Sequence, residues 1–329
     1  MSARCRIGRA SFDVSVLEKD VFRPEPPMSS PTFSILLKIF PPKGFAFYKA
    51  KDAEEMEFLG YPIDVWPVDP DLAGDQAAYL KVRGIPRAHA QDVFENLKTC
   101  LRIAAVGMGF GVQPKQGDLN FVEGELVDGG QPIAFEGEKA PGILDGSVMH
   151  VNGFDGRNLL HCLNEASGSP AFENREAGAR LDLALEIYES VEFEATANAR
   201  FVSLTSIVEI LAEPRKRPQA CLDVIDRAMA EMDRLVATSD GETKEALNRM
   251  RDSASMNWKN ESINSSVKRL AIEASEAAGD EDPRAFGREA TRLYGIRSKL
   301  VHRGESVSEG DLSAMRKLVN RLLKHAVGL

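Results

Sequence analysis

Residues 283–304 read PRAFGREATRLYGIRSKLVHRG, and this stretch decides the architecture of the second half of the chain. Asp282 followed by Pro283 supplies a helix cap and a first-turn residue with pre-set backbone geometry. Gly304 stands where such a helix needs a left-handed end. Between them the apolar line runs Phe286, Ala290, Leu293 and, after one interruption, Leu300. The interruption is Arg297, which falls on the stripe that should be buried. A guanidinium there requires an acidic partner, a subunit interface or an anionic ligand. His302 follows at the predicted end of the helix, where the partial negative charge of the last turn favours a protonated ring. Five residues correspond to about 140° on an ideal helix. Arg297 and His302 therefore converge only if the last turn unwinds or if the site lies in a cleft between two such helices.

Working outward, residues 171–329 carry further amphipathic stripes. Leu181, Leu185 and Tyr188 begin one helix, and Phe201, Leu204, Val208 and Leu211 mark a second. After a basic turn, Arg215-Lys216-Arg217 between Pro214 and Pro218, a third carries Leu222, Ile225, Met229, Met232 and Leu235. Ile263, Val267, Leu270 and Ala274 mark another, and Leu312, Met315, Val319, Leu322 and Ala326 the last. These are the signs of an all-α helical bundle. Residues 1–170 hold 18 of the 26 glycines and 14 of the 17 prolines, residues that interrupt regular structure, so this half is expected to be an α+β domain. Its strand candidates are residues 33–40 (FSILLKIF), 45–48 and 78–82, with shorter ones at 121–127 and 147–151, and residues 88–106 have helical spacing ended by Gly107. Gly168-Ser169-Pro170 reads as the linker between the two units.

The chain has 329 residues and a net charge of −9, which alone argues against a general nucleic-acid binder. The charge is unevenly placed. Residues 284–329 hold ten Lys/Arg and four Asp/Glu, a balance of +6, so the remainder is −15. Arg288, Arg292, Arg297, Lys299 and Arg303 are then expected to form a local basic groove. No apolar run approaches a membrane span, and no apolar core follows Arg4, Arg6 and Arg9 to make a secretory signal. Cys5, Cys100, Cys162 and Cys221 are scattered without a Cys-x-x-Cys pair, which favours reduced thiols in a cytoplasmic protein. His89, His150, His161, His302 and His325 lack ligand spacing, so no metal and no cofactor is expected.

Three other features read as ordinary structure. Gly107-Met-Gly-Phe-Gly111 follows a helix instead of opening one, the reverse of a dinucleotide fingerprint, and fits a helix cap and loop. Asp69, Asp71 and Asp75 lack the central Gly and closing Glu of a calcium loop and fit a solvated turn. Glu186, Glu189, Glu192 and Glu194 fit a solvated helix face. Arg297 itself has an ordinary reading, an ion pair with Glu209, the lone acid in the otherwise apolar helix at 201–211.

Arg297-x-x-x-x-His302 near the end of a late helix resembles the Arg-x4–6-His motif of HEPN domains. The wider pattern, residues 201–209 in an early helix and 294–304 in a late one, is most similar to the Apea-like HEPN group. The resemblance covers roughly residues 175–329 and leaves the first half unassigned. It implies a four- or five-helix HEPN-like bundle that forms a homodimer with its motif helices facing across a two-fold axis. It also implies a metal-independent endoribonuclease acting on RNA in stress response or phage defence. His302 would be the general acid/base, Arg297 would stabilise charge on the reacting phosphate, Glu209 would orient Arg297, and Tyr294 would contact RNA or line the groove. Arg288, Arg292, Lys299 and Arg303 would bind the strand. Ser298 follows the arginine, where many active members carry Asn, Asp or His. It can donate a hydrogen bond but supplies no charge. No Tyr follows His302, unlike members paired with a nucleotidyltransferase antitoxin. Two alternatives stand beside this reading: a catalytically inactive HEPN module binding RNA, nucleotide or protein partners, and a chain whose main activity lies in its first half.

Overall fold

The computed structural model describes residues 32–42, 46–48, 56–67, 77–122, 132–136, 153–173 and 178–329. In chain order the first half forms β1 (Thr32–Phe40), β2 (Ala46–Tyr48), β3 (Met56–Phe58), β4 (Tyr61–Pro67) and β5 (Ala78–Pro86), then helix α1 (Ala90–Met108). Strands β6 (Gln113–Pro114), β7 (Asn120–Val122), β8 (Ile133–Glu136) and β9 (Gly153–Asp155) follow, with helices α2 (Gly156–Ser167) and α3 (Pro170–Glu173). The second half is helical: α4 (Ala179–Ser190), α5 (Ala197–Leu211), α6 (Gln219–Thr238), α7 (Gly241–Asn257), α8 (Ile263–Ala277), α9 (Pro283–Arg303) and α10 (Glu309–Val327).

β1 is central in a mixed sheet ordered β3-β4-β5-β1-β8-β7, with β6 also paired to β1. Its alternation places Phe33, Ile35, Leu37 and Ile39 in the main core, while Leu36 joins Phe135 on the other face. The β3–β4 hairpin turns through Leu59 (φ 53°) and Gly60 (φ 80°), the double left-handed geometry that matches strand twist. α1 covers the sheet with Val93, Phe94, Leu97 and Leu101, and its last turns also bury Ile103, Ala105 and Val106. The continuous burial of residues 103–106 requires that end of the helix to be packed on both sides. On its second side α1 meets α4 and α10, so one continuous core runs through both halves of the chain.

In the helical half, α4, α5, α8, α9 and α10 surround Leu185, Phe201, Leu204, Val267, Leu293, Met315 and Val319. The termini are capped as their residue types dictate. Thr196, Ser262, Asp282 and Ser308 each accept a backbone N–H of the helix they precede, and Gly304 ends α9 at φ 68°. At Gly287 a Cβ would come 2.7 Å from Cγ1 of Ile272, so glycine sets the close approach of α8 and α9. α6 and α7 stand apart as a hairpin in which, among the described residues, Met232 and Ala254 are the buried hydrophobic ones. Its base is clamped by backbone bonds between Arg217 and Lys259 and between Glu261 and Arg215.

Several sequence expectations are corrected. α1 runs through Gly107 to Met108 and is capped by Gly109 at φ 81°. The strand expected at 78–82 extends to Pro86, because Thr32 and Phe33 of β1 pair opposite Pro86 and Ile85. α2, α7 and β4 are elements that the sequence pattern does not announce. α7 is too polar to show a stripe, and α2 follows directly on the turn-like Gly153 and Gly156. Gly168-Ser169-Pro170 is a tight turn with Ser169 buried, and its Oγ accepts the Phe172 N–H. Only residues 121 and 122 of the strand expected at 121–127 are described, within β7. The strand expected at 147–151 and Asp69, Asp71, Asp75, Cys5 and His150 lie outside the described residues.

Candidate functional site

The site is built on the facing surfaces of α5 and α9. Glu209 lies in the last full turn of α5, where the partial negative charge of the helix end makes a carboxylate unwelcome. Two donors from α9 offset this. The Tyr294 hydroxyl donates to Glu209 Oε1 at 2.7 Å, and Arg297 Nη2 lies 3.7 Å from the same oxygen. Tyr294 and Arg297 are three residues apart and so share a helix face. Burial, reinforced by the adjacent carboxylate, holds the Tyr294 hydroxyl up to about 12, so it remains a donor across the physiological range. Arg297 keeps 36% of its side chain exposed. The arginine that interrupts the apolar stripe is therefore half-buried, paired on its inner side and open on its outer side.

Beyond Arg297 the last turn of α9 projects from the bundle. Ser298, Lys299, Val301, His302 and Arg303 are all exposed, and His302 makes no hydrogen bond or ion pair among the described residues. α9 stays helical through Arg303, so the last turn does not unwind. Within one chain, Arg297 and His302 thus remain about 140° apart around the axis.

The expected basic groove is largely paired off. Arg292 gives Nε and Nη2 to Glu289 at 2.8 and 2.7 Å and Nη1 to Asp311 at 2.8 Å, which locks α9 to the start of α10. The Arg292 bonds hold the Glu289 carboxyl below its ordinary range, and the Ser308 hydroxyl, followed by Arg292, does the same for Asp311. Arg288 lies 3.5 Å from Asp282, and Arg303 lies 3.8 Å from Glu305. Of the five cations proposed for the groove, Lys299 alone makes no ion pair among the described residues.

The glutamates of α4 and the turn after it correct the expectation of a solvated face. Glu186 is exposed, but Glu189 keeps only 4% of its side chain in solvent and pairs with Arg102 of α1 at 3.0 Å. Glu192 pairs with Arg316 of α10 at 2.9 Å, and Glu194 accepts the Ser203 hydroxyl. Burial raises the Glu189 carboxyl, with Arg102 opposing, and Glu189 Oε1 is buried without a hydrogen-bond partner. A Cβ on Gly111 would lie 2.4 Å from the Glu189 carbonyl oxygen, so this glycine seats the loop that follows α1 against α4. Among the described residues no group of three or more His, Cys, Asp or Glu is placed to hold a metal ion, and no helix is long and apolar enough to cross a membrane.

Sequence reasoning did not single out Asp280, Lys317, Arg321 and Lys324, which line a groove at the opposite end of α9. Their only signal is the spacing of 317, 321 and 324 on one helix face. Comparison with protein-family models, curated proteins and solved structures finds no match to this chain.

Proposed function

We propose that the chain is a metal-independent endoribonuclease of HEPN type, acting as a homodimer through its helical half. The observation that carries the reading is Arg297, held on its inner side by Glu209 with its outer side open, five residues before a His302 that has no partner among the described residues. Two copies of α9 meeting about a two-fold axis would bring arginines and histidines into one cleft despite the 140° separation.

In such a cleft, a His302 imidazole takes the proton of a ribose 2′-OH. The 2′-oxygen attacks the adjacent phosphorus, and the 5′-oxygen leaves with a proton from the acid form of a second imidazole. Arg297 donates to the oxygens on which negative charge accumulates, and Glu209 and Tyr294 keep its guanidinium aimed outward. The products are a 2′,3′-cyclic phosphate and a 5′-hydroxyl. In this reading Lys299 and Arg303 steer the strand, and the α+β half recognises a trigger or regulates the bundle. Stress response or phage defence in the cytoplasm is the setting that the resemblance supplies.

The test is incubation of the purified full chain with structured RNA in EDTA, followed by analysis of the ends. Cleavage leaving cyclic phosphate, lost in Arg297→Ala and in His302→Ala, supports the proposal. Intact RNA, or equal cleavage by both variants, sinks it. A second reading, a catalytically inactive module that binds RNA, nucleotide or protein, has its own support. Glu209 already neutralises Arg297, and Glu289 and Asp311 occupy Arg292. RNA bound but left intact would select it.

A further inference from the structure

Glu189 is a buried carboxylate that the reaction proposed above does not use. Arg102 Nε lies 3.0 Å from its Oε2, while Oε1 is buried without a hydrogen-bond partner among the described residues. Leaving a buried acceptor unpaired is costly, so such an oxygen calls for a water or a ligand. Glu189 also lines a pocket of ≈ 260 Å³ between α4 and the segment that follows α1. Exposure gives that pocket a direction. Leu183, Glu186 and Gln116 are exposed and form its mouth, Gln113, Ile187 and Ser190 are half-buried, and Glu189 is its buried end. Both walls are fixed by the fold. Gly111 approaches the Glu189 carbonyl closely, Gln113 of β6 pairs opposite Phe40 of β1, and the Lys115 N–H donates to the Lys38 carbonyl at 2.8 Å. The Gln113 and Gln116 carboxamides and the Glu186 carboxylate have no side-chain partner among the described residues.

The polar lining is made to accept. Glu189 Oε1 and the Glu186 carboxylate only accept, and each carboxamide can turn its oxygen inward. The Ser190 hydroxyl gives its proton to the Ile187 carbonyl at 2.9 Å and keeps its lone pairs. Arg102 balances one of the two carboxylates, and Lys98, the other nearby cation, is paired with Glu95 at 3.3 Å, so negative charge remains. Burial raises the Glu189 carboxyl even with Arg102 beside it, so that one cation does not compensate the site. The matching ligand is a cation that donates. With Oε2 taken by Arg102, the fork of a guanidinium cannot engage both oxygens of Glu189, whereas an ammonium carries its donors on one nitrogen and needs Oε1 alone. A divalent metal ion takes about six oxygens or more, and among the described residues no three His, Cys, Asp or Glu are placed to hold one. Leu183 and Ile187 offer an apolar wall to a hydrocarbon stem, and the volume falls below the roughly 300–1,000 Å³ of drug-sized sites. We infer that this pocket binds a small aliphatic primary ammonium, its nitrogen between Glu189 Oε1 and Glu186 and its stem along Leu183 and Ile187. Glu209, Arg297 and His302 do not line it, so it stands independently of the RNA-cleavage reading.

The experiment is calorimetric titration of the full chain with n-butylamine, methylamine, n-butanol, methylguanidinium and magnesium chloride, with no cleavage readout. Saturable binding of butylamine at millimolar concentration is expected, with weaker binding of methylamine and none of butanol. Glu189→Gln keeps the shape of the side chain and removes its charge, and it should weaken butylamine roughly tenfold, the size of one charge-assisted contact. Glu186→Gln should do the same, and because Glu186 is exposed this variant keeps the test decisive if Glu189→Gln fails to fold. Leu183→Ala should narrow the gap between butylamine and methylamine. Absence of saturable butylamine binding leaves a water as the partner of Oε1 and overturns the proposal. So does butanol binding as tightly as butylamine, or butylamine affinity unchanged in every folded glutamine variant. Methylguanidinium binding more tightly than methylamine overturns the choice of an ammonium. If magnesium displaces butylamine, the pocket is a metal site and the proposal falls.

Discussion

Replacing Arg102 by Leu removes the one side-chain partner, among the described residues, of a buried carboxylate at the seam between the sheet half and the helical half. Glu189 keeps 4% of its side chain in solvent, with Arg102 Nε 3.0 Å from its Oε2 and no partner on Oε1. Breaking a buried ion pair by deleting one partner costs about 3–5 kcal/mol. The Arg102 side chain is 26% exposed, so solvent screens part of the pair and about 2–3 kcal/mol is expected. For a chain of this size that lowers the midpoint of thermal unfolding by about 5 °C. The pH dependence has a definite sign. Burial raises the Glu189 carboxyl in the folded state, and Arg102 is the leading influence pulling it back. A group raised on folding contributes its stability below its unfolded value and loses it as pH rises. Without Arg102 the penalty is therefore full at pH 7.5 and shrinks toward pH 4.5, as Glu189 takes a proton. Urea unfolding of both proteins at pH 5 and pH 7.5 measures it. A difference under about 0.5 kcal/mol at pH 7.5, or the same difference at both pH values, refutes the buried-pair account.

Gly111→Ala places a Cβ against two backbone oxygens, Glu189 O at 2.4 Å and Tyr188 O at 2.8 Å, neither of which can swing aside. A loss of about 1–3 kcal/mol in thermal or urea unfolding is expected, and an unchanged midpoint would show that the loop does not seat on α4. Tyr294→Phe removes the donor to Glu209 and should cost about 1–2 kcal/mol at neutral pH. Tyr188 and Tyr294 are both held up to about 12, so stability present below pH 10 is lost as pH rises toward 12; the phenylalanine variant, measured by alkaline denaturation, should show a shallower loss. Replacing residues 219–257 with a short flexible linker should leave the rest of the fold intact by circular dichroism, because α6 and α7 bury little beyond their own contact. Collapse of the bundle in that variant would mean that the hairpin supports the core.

Much of α9 is legible in the residues of that segment alone. Asp282-Pro283, the line of Ala290 and Leu293, and Gly304 are local signals, read within one helix, and each has its expected place. β1 is equally plain, because a strand buried on both faces is continuously apolar. α7 is not legible. Its helix is completed against α6 in a hairpin, so no broad apolar stripe is needed. Glu189 misleads for the complementary reason. It stands in a run of glutamates at 186, 189, 192 and 194 that reads as a charged face, and only the packing of α1 across α4 removes it from water. The separation of Arg297 and His302 is set at about 140° by the helical repeat alone. That Tyr294 and Arg297 share one carboxylate oxygen of Glu209 requires α5 to lie beside α9. The cations at 317, 321 and 324 are likewise readable as one face of a helix. What turns that face into a groove is the end of α8 and the start of α9 closing over it. Caps and periodicity arise from bonds within a few residues, which a sequence displays directly. Burial and ion pairing are set by whichever element packs opposite, often far away along the chain, as with Arg292 and Asp311 or Val106 and Asn320.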